Sequence, residues 1–244
     1  MLVAISFINI KETIMTTILI TGANKGIGLE LASRYAKAGN TVLACYRAAS
    51  AAEQLEELAK TYDLTLINVS VGEDASVAKM ASDLVGTTID ILINNAGTIG
   101  PKREQQTAYV MDFAGWAEAM NINTLAPVRV LHALLDNLRA SENAKVVNIS
   151  SELGAISNDR PVGYAYSASK AALNKYMKLA ALELGKENIN VALIHPGWVQ
   201  TSMGGSAADI TVQVSAEGII DVIENLDASN NGGFWDWKGD VQPW

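Results

Sequence analysis

The chain is poor in cysteine, histidine and phenylalanine, with one Cys, two His and three Phe in 244 residues. A single cysteine, Cys45, excludes an intrachain disulfide. It falls in a predicted buried strand, where it serves as small apolar filler, and a reducing cytoplasm is the expected setting. One Cys with the widely separated His132 and His195 gives no zinc-ligand spacing, so no metal is expected. His132 lies within a helical stretch and reads as packing or interface. His195 ends a strand and is expected to bond backbone. Basic charge is also scarce: 18 Lys and Arg face 26 Asp and Glu, a net charge of −8. That balance disfavours nucleic acid and anionic membranes as partners. The apolar start, Met1–Ile14, lacks a basic leader and is too short to span a bilayer. There is no linker of Pro, Gly and Ser, no repeat and no low-complexity tract.

What the chain has is apolar content, 49% of its residues, ample for a core. Strand-like runs recur at Thr16–Ile20, Thr41–Cys45, Leu64–Val69, Ile89–Ile93, Lys145–Ile149 and Ile189–Ile194, with helical stretches between them. Alternating β and α elements with a glycine turn after the first strand predict an α/β fold, a single-domain Rossmann-type doubly wound parallel sheet with helices on both faces.

The glycine turn is Thr21-Gly22-Ala23-Asn24-Lys25-Gly26-Ile27-Gly28, followed by a helical segment from Leu29 that Gly39 stops. Strand, glycine turn and helix form the context in which backbone amides and a helix N-terminus hold a pyrophosphate. Gly22 allows the tight turn, Gly26 lets backbone approach the phosphates, and Gly28 lets helix and strand pack closely. Past the second strand, where a carboxylate would bind the adenosine 2′-hydroxyl, the chain reads Cys45-Tyr46-Arg47. Arg47 and Lys25 suit a 2′-phosphate instead, so NADP(H) is the preferred cofactor and NAD(H) the alternative.

The second constellation is Tyr166 and Lys170, four apart at the start of a helix predicted from about Gly163 to Gly185, with Gly185 as its C-cap. Residues four apart share a helix face. At ~5 Å and an effective dielectric of ~20, the ammonium favours the phenolate by roughly 3 kcal/mol. The expectation is a tyrosine pKa lowered by about two units, fit for acid-base work.

Taken together, these residues resemble the short-chain dehydrogenase/reductase family over nearly the whole chain. Thr21 to Gly28 match its T-G-x-x-x-G-x-G. Asn94-Asn95-Ala96-Gly97 match its N-N-A-G. Asn123 falls at its helix asparagine, Ser151 at its catalytic serine, Tyr166 and Lys170 at its Y-x-x-x-K, and Pro196-Gly197 with Thr201 at its P-G-x-x-x-T. Ser151-Glu152-Leu153-Gly154, His195 to Thr201 and the tryptophan-rich tail are similar to the C-factor-like and sniffer-like carbonyl reductases.

The resemblance implies hydride transfer between nicotinamide and a carbonyl or alcohol. Tyr166 would be general acid/base, Lys170 its tuner and a ribose ligand, and Ser151 the oxyanion donor, with Ser150 as runner-up. Asn123 would hold a water that links Lys170 to solvent. The cofactor set implied is Gly22, Asn24, Lys25, Gly26, Ile27, Gly28, Arg47, Asn68, Val69, Asn95, Ala96, Gly97, Tyr166, Lys170, Pro196, Gly197, Val199 and Thr201. Asn68 stands where the family often has Asp, and its amide oxygen can accept the same adenine bond. Substrate would meet Ser151, Tyr166, Trp198 and Met203. Specificity is expected from residues 98–113, 155–162 and 202–215, with Gly204-Gly205 as hinge of a lid. Relatives of this type form dimers or tetramers, so a homodimer or homotetramer is expected. Met1–Ile14 reads as a non-essential extension, leaving one domain over 15–244, with a dinucleotide half to residue 100 and a catalytic half from 101. A dinucleotide-binding signalling or sensor protein of the C-factor type, with little turnover, is the alternative function. Trp235, Trp237 and Trp244 either anchor the last strand or build a subunit contact, and Trp116 is expected to pack its helix.

Overall fold

Seven short strands lie in one parallel sheet in the order β3-β2-β1-β4-β5-β6-β7. The computed structural model describes residues 15–47 and 52–244. The extension expected at Met1–Ile14 lies outside them. The strands are β1 Thr17–Ile20, β2 Thr41–Tyr46, β3 Leu64–Asn68, β4 Ile91–Asn94, β5 Ala144–Ile149, β6 Ile189–His195 and β7 Gly233–Asp236. Helices α1 Gly26–Lys37, α2 Glu53–Ala59 and α3 Asp74–Asp83 alternate with the first four strands. Next come α4 Phe113–Met120, α5 Ala126–Ala133 and α6 Leu135–Arg139, then α7 Tyr164–Leu184 and α8 Val212–Glu224.

The strands read as continuous aliphatic runs because both faces are covered. Side chains alternate between the faces. Leu19, Leu92, Val146 and Val191 enter one core with Val77 of α3, Val130 of α5 and Leu173 of α7. Ile18, Ile93, Val147 and Ile194 enter the other with Leu31 of α1 and Ile219 of α8. A polar rung crosses the aliphatic sheet. Asn94 Nδ2 donates to Asn148 Oδ1 at 3.0 Å, and Asn148 Nδ2 donates to the Ala192 carbonyl at 3.2 Å.

β1 pairs with β2 on one side and β4 on the other. The chain therefore reverses its direction of growth at the β1–β4 seam, which opens a crevice at the carboxyl ends of the strands, where ligands of such sheets bind. No helix among the described residues is long and apolar enough to cross a membrane.

Two local details differ from expectation. β7 forms at the start of the tryptophan-rich run that the sequence left unresolved between strand anchor and subunit contact. In this chain Trp235 lies in β7, and Trp244 packs on Phe234 with ring centroids 5.7 Å apart. The C-cap Gly185 keeps right-handed geometry, and a further 3₁₀ turn carries the chain to Asn188, which takes the left-handed conformation at φ 59°. Asn enters that region more readily than other side-chain-bearing residues, so it performs the stop assigned to glycine.

Candidate active site

The glycine turn joins β1 to α1 at the crevice. Gly22 has φ 65°, and a Cβ built on Gly28 would stand 2.4 Å from the Gly22 carbonyl oxygen and 2.5 Å from Asn95 Nδ2. Only glycine fits at 28. Asn95 stitches β4 to this turn: its Nδ2 donates to the Thr21 and Gly22 carbonyls at 2.9 and 3.1 Å. Thr21 Oγ1 in turn accepts from the amides of Asn95 and Ala96 at 3.0 and 3.1 Å. The family asparagine and alanine thus hold the turn's shape.

Ala23 N donates to the Cys45 carbonyl at 2.8 Å, which sets the turn against the end of β2. Lys25, at the N-cap of α1, and Arg47, just past β2, are both exposed at this end of the sheet, with Asn24 and Ile27 half-buried beside Lys25. Asn68 closes β3 opposite Tyr46 and is exposed, while Val69 is buried and bonds the Tyr46 carbonyl at 2.8 Å.

Asn123 sits in a π-helical turn, Asn121–Leu125, between α4 and α5. Such turns aim side chains that a regular helix would not. Asn123 is wholly buried. Its Oδ1 accepts from Thr98 N at 2.8 Å, and its Nδ2 donates to Thr98 O at 2.8 Å and Ser169 Oγ at 2.9 Å. It therefore ties the segment after Asn-Asn-Ala-Gly to α7. A Cβ on Gly97 would lie 3.3 Å from Asn123 Oδ1 and 4.0 Å from Lys170 Nζ, so this glycine opens the space that both side chains face.

Past β5 stand the two serines that the sequence offered as candidates. Ser150 is buried and its hydroxyl donates to Asn174 Oδ1. Ser151 caps a 3₁₀ turn, Glu152–Gly154, with its Oγ accepting from Leu153 N at 3.2 Å. The Ser151 hydroxyl also stands near enough to the Tyr166 phenol to act on its pKa. Ser150 is engaged elsewhere, so Ser151 is the serine beside the tyrosine.

Tyr166 and Lys170 lie on the first two turns of α7, with Lys170 Nζ 5.9 Å from the Tyr166 ring centroid. Lys170 is 5% exposed and donates to the Ile149 carbonyl at 2.6 Å. Burial lowers its pKa to about 8. For Tyr166 the expected direction is corrected: burial raises the phenol, and the Ser151 hydroxyl pulls it back only in part. The pairwise argument counted the ammonium and left out desolvation, which is the larger effect here.

Pro196, Gly197 and Val199 follow β6. Gly197 has φ 83°, and a Cβ there would press on the Trp237 indole at 2.8 Å, so Trp237 packs under this turn. Thr201 Oγ1 accepts from the amides of Met203 and Gly204 at 3.2 and 3.0 Å. A Cβ on Gly26 would meet Thr201 Cγ2 at 3.2 Å, so the glycine turn and the segment after β6 touch. Trp198 and Met203 are half-exposed. Trp198 has a polar tie as well as an apolar face, its Nε1 donating to the Gly204 carbonyl at 2.9 Å.

Both histidines lie away from this cluster's bonds. His132 Nε2 pairs with the Tyr176 hydroxyl at 2.9 Å on the surface. His195 does not bond backbone as expected through Nδ1, which is buried without a hydrogen-bond partner. Burial lowers its pKa against the opposing fields of Glu152 and Asp236. Trp116 stacks on Phe113 with centroids 6.4 Å apart, a packing role. Gln106 escaped the sequence reading, since nothing local marks a glutamine in a loop, yet it is 3% exposed and fully bonded.

Comparison with known proteins agrees with this geometry. The short chain dehydrogenase family matches residues 16–211. The C-signal protein of Myxococcus xanthus is 36% identical over 165 residues, 67% of this chain and 98% of its own. Among solved structures, the NADPH-bound carbonyl reductase from chicken fatty liver superposes with a TM-score of 0.87 at 30% identity, covering 94% of this chain and 99% of that one. The carbonyl reductase Sniffer of D. melanogaster does so with a TM-score of 0.87 at 30% identity, covering 94% and 100%. A carbonyl reductase from Pseudomonas aeruginosa PAO1 in complex with NADP gives 0.82 at 30% identity, covering 94% and 100%. With its sheet order, glycine turn and Ser-Tyr-Lys cluster, the chain belongs to the short-chain dehydrogenase family.

Proposed function

We propose that this protein is an NADP(H)-dependent reductase that interconverts a carbonyl compound and its alcohol. The observation that carries the reading is the convergence of Ser151, Tyr166 and Lys170 at the carboxyl ends of β5 and β6, beside a glycine turn where a side chain at position 28 would collide with backbone. That cradle fits a dinucleotide. The turn would hold the pyrophosphate, Lys25 and Arg47 the 2′-phosphate, and the Pro196–Thr201 segment the nicotinamide end. The NADP-bound neighbours support the choice of cofactor. A bound nicotinamide supplies the hydride, which a protein environment needs only to orient.

The chain's own residues handle the oxygen. Tyr166 donates its phenolic proton to the oxygen that becomes the alcohol, and Ser151 stabilises negative charge there by a hydrogen bond. A raised phenol pKa keeps Tyr166 protonated at neutral pH, the form that reduction requires. Lys170, anchored on Ile149, offers its remaining protons toward the space beside Gly97. Asn123 keeps that space in shape by fixing Thr98 and Ser169.

The test is NADPH oxidation across aldehydes, ketones and quinones, with Tyr166→Phe run beside the native protein. Turnover by the native chain that vanishes in the variant supports the reading. Cofactor binding without turnover by either protein favours the second reading, a dinucleotide-binding signalling protein, for which the identity with C-signal speaks. Exposed Leu125, Leu179 and Leu182 on the outer faces of the π turn and α7 support a homodimer or homotetramer.

A further inference from the structure

The catalytic helix begins without a cap of its own. Gly163 stands at the N-cap of α7 with φ 57°, and it has no side chain to accept from the first helical amides. A capping Ser or Asp is excluded on geometry as well, because capping residues take extended backbone and this one is left-handed. The Ala165 amide, second in the helix and directly before Tyr166, would be left an orphan donor in a buried place, since Ala165 is 0% exposed.

Gln106 supplies the missing acceptor from 59 residues away. Its Oε1 accepts from Ala165 N at 3.0 Å. Its Nε2 donates to the Ile99 carbonyl at 3.4 Å and to the Pro101 carbonyl. Gln106 therefore bonds at once to the stretch after Asn-Asn-Ala-Gly and to the first turn of α7. Gly100 completes the clamp. A Cβ there would lie 3.7 Å from Ala165 Cβ and 3.1 Å from Ala119 Cβ, so this loop rests directly on the helix start.

We infer that Gln106 is a positioning residue for the proposed reduction. It fixes the first turn of α7, and with it the Tyr166 phenol, by an acceptor that the loop of residues 98–113 supplies. A shift of that loop on substrate entry is thereby felt at the proton donor without any contact between Gln106 and substrate. The inference rests on the reductase reading, and its test separates the two.

The experiment compares Gln106→Met, which keeps bulk and removes the acceptor, with Gln106→Glu, which keeps the acceptor and removes the amide donor. Amide hydrogen exchange over residues 163–168 should speed up in Gln106→Met by about five- to tenfold, the factor that loss of one helix cap carries, and less in Gln106→Glu. This readout needs no turnover. With a carbonyl substrate that the native protein reduces, kcat should fall by a similar factor in Gln106→Met while KM for NADPH stays within about twofold. Gln106→Glu should retain more of kcat. Native exchange at 163–168 and native kcat in Gln106→Met would overturn the inference, as would equal losses in the two variants. Faster exchange with no turnover in the native protein itself keeps the cap and sinks the reductase reading instead. If Gln106→Met does not fold, Gln106→Glu with native exchange at 163–168 supports the acceptor role, and exchange as fast as in the unfolded chain overturns it.

Discussion

Lys170 Nζ donates to the Ile149 carbonyl at 2.6 Å, so the helix that carries the tyrosine is tied to the last residue of β5 by an ammonium held out of water. Burial at this point lowers the lysine pKa from 10.5 to about 8. Between those values the unfolded chain binds the proton and the folded one does not, so stability rises with pH there. The cost of charging Lys170 is fully present below pH 8 and is relieved as pH climbs toward 10.5. Lys170→Met should therefore be more stable than the native protein at pH 7, by at most about 3 kcal/mol, while losing turnover. The gap should narrow at pH 9. Calorimetry at both pH values checks this, and a native protein that gains nothing relative to Lys170→Met between them would refute it.

Ser151→Ala removes the one group that pulls the Tyr166 pKa downward. The alkaline fall in kcat for reduction, where the phenol loses its proton, should move to higher pH. The plateau should drop by roughly 10²–10³, as when one oxyanion donor is lost. A pH profile with a constant alkaline limb would contradict that pull. Ser150→Ala, whose serine is turned to Asn174, should leave that limb in place.

Gly28→Ala sets a methyl group 2.4 Å from a carbonyl oxygen and 2.5 Å from Asn95 Nδ2. Backbone cannot yield as a flexible side chain would, so a loss of about 1–3 kcal/mol in stability is expected. Dinucleotide affinity should weaken as the turn opens. Titration of NADPH fluorescence reads the second effect, and native affinity in the variant would show that the contact is not critical.

Arg47→Asp should weaken NADPH more than NADH, by about 10–100-fold in the ratio of dissociation constants, the range of a hydrogen bond to a charged partner. Arg47 is exposed and ends no ion pair among the described residues, so its removal should leave the melting temperature nearly unchanged. An unaltered ratio would assign 2′-phosphate recognition to Lys25 alone.

Much of this molecule is written locally. β1 to β6 were legible because parallel strands covered on both faces read as unbroken aliphatic runs, and the Gly22–Gly28 turn carried its own strand and helix context. The Tyr166–Lys170 spacing was legible because helix periodicity is local. What stayed hidden depends on distance. The Gln106 cap spans 59 residues and leaves no pattern in the loop that supplies it. The direction of the Tyr166 pKa depends on how deeply α7 sits, which pairwise spacing does not encode. The burial of His195 Nδ1 without a partner depends on how the chain packs around the end of β6, which local sequence does not encode.

The Asn94–Asn148 rung has a consequence for how the sheet assembles. Aliphatic strands offset by two residues bury the same face, so hydrophobicity alone tolerates that slip. Sliding β4 against β5 would break the Asn94–Asn148 bond and leave the Asn94 amide among leucine, isoleucine and valine, an unmade bond costing about 1–3 kcal/mol. The rung thus proofreads strand alignment, rejecting pairings in which β4 and β5 do not end level. Asn95 and Ser151 leave these two strands within three residues of the rung, so the register that the rung holds also sets the height at which turn and serine face one another.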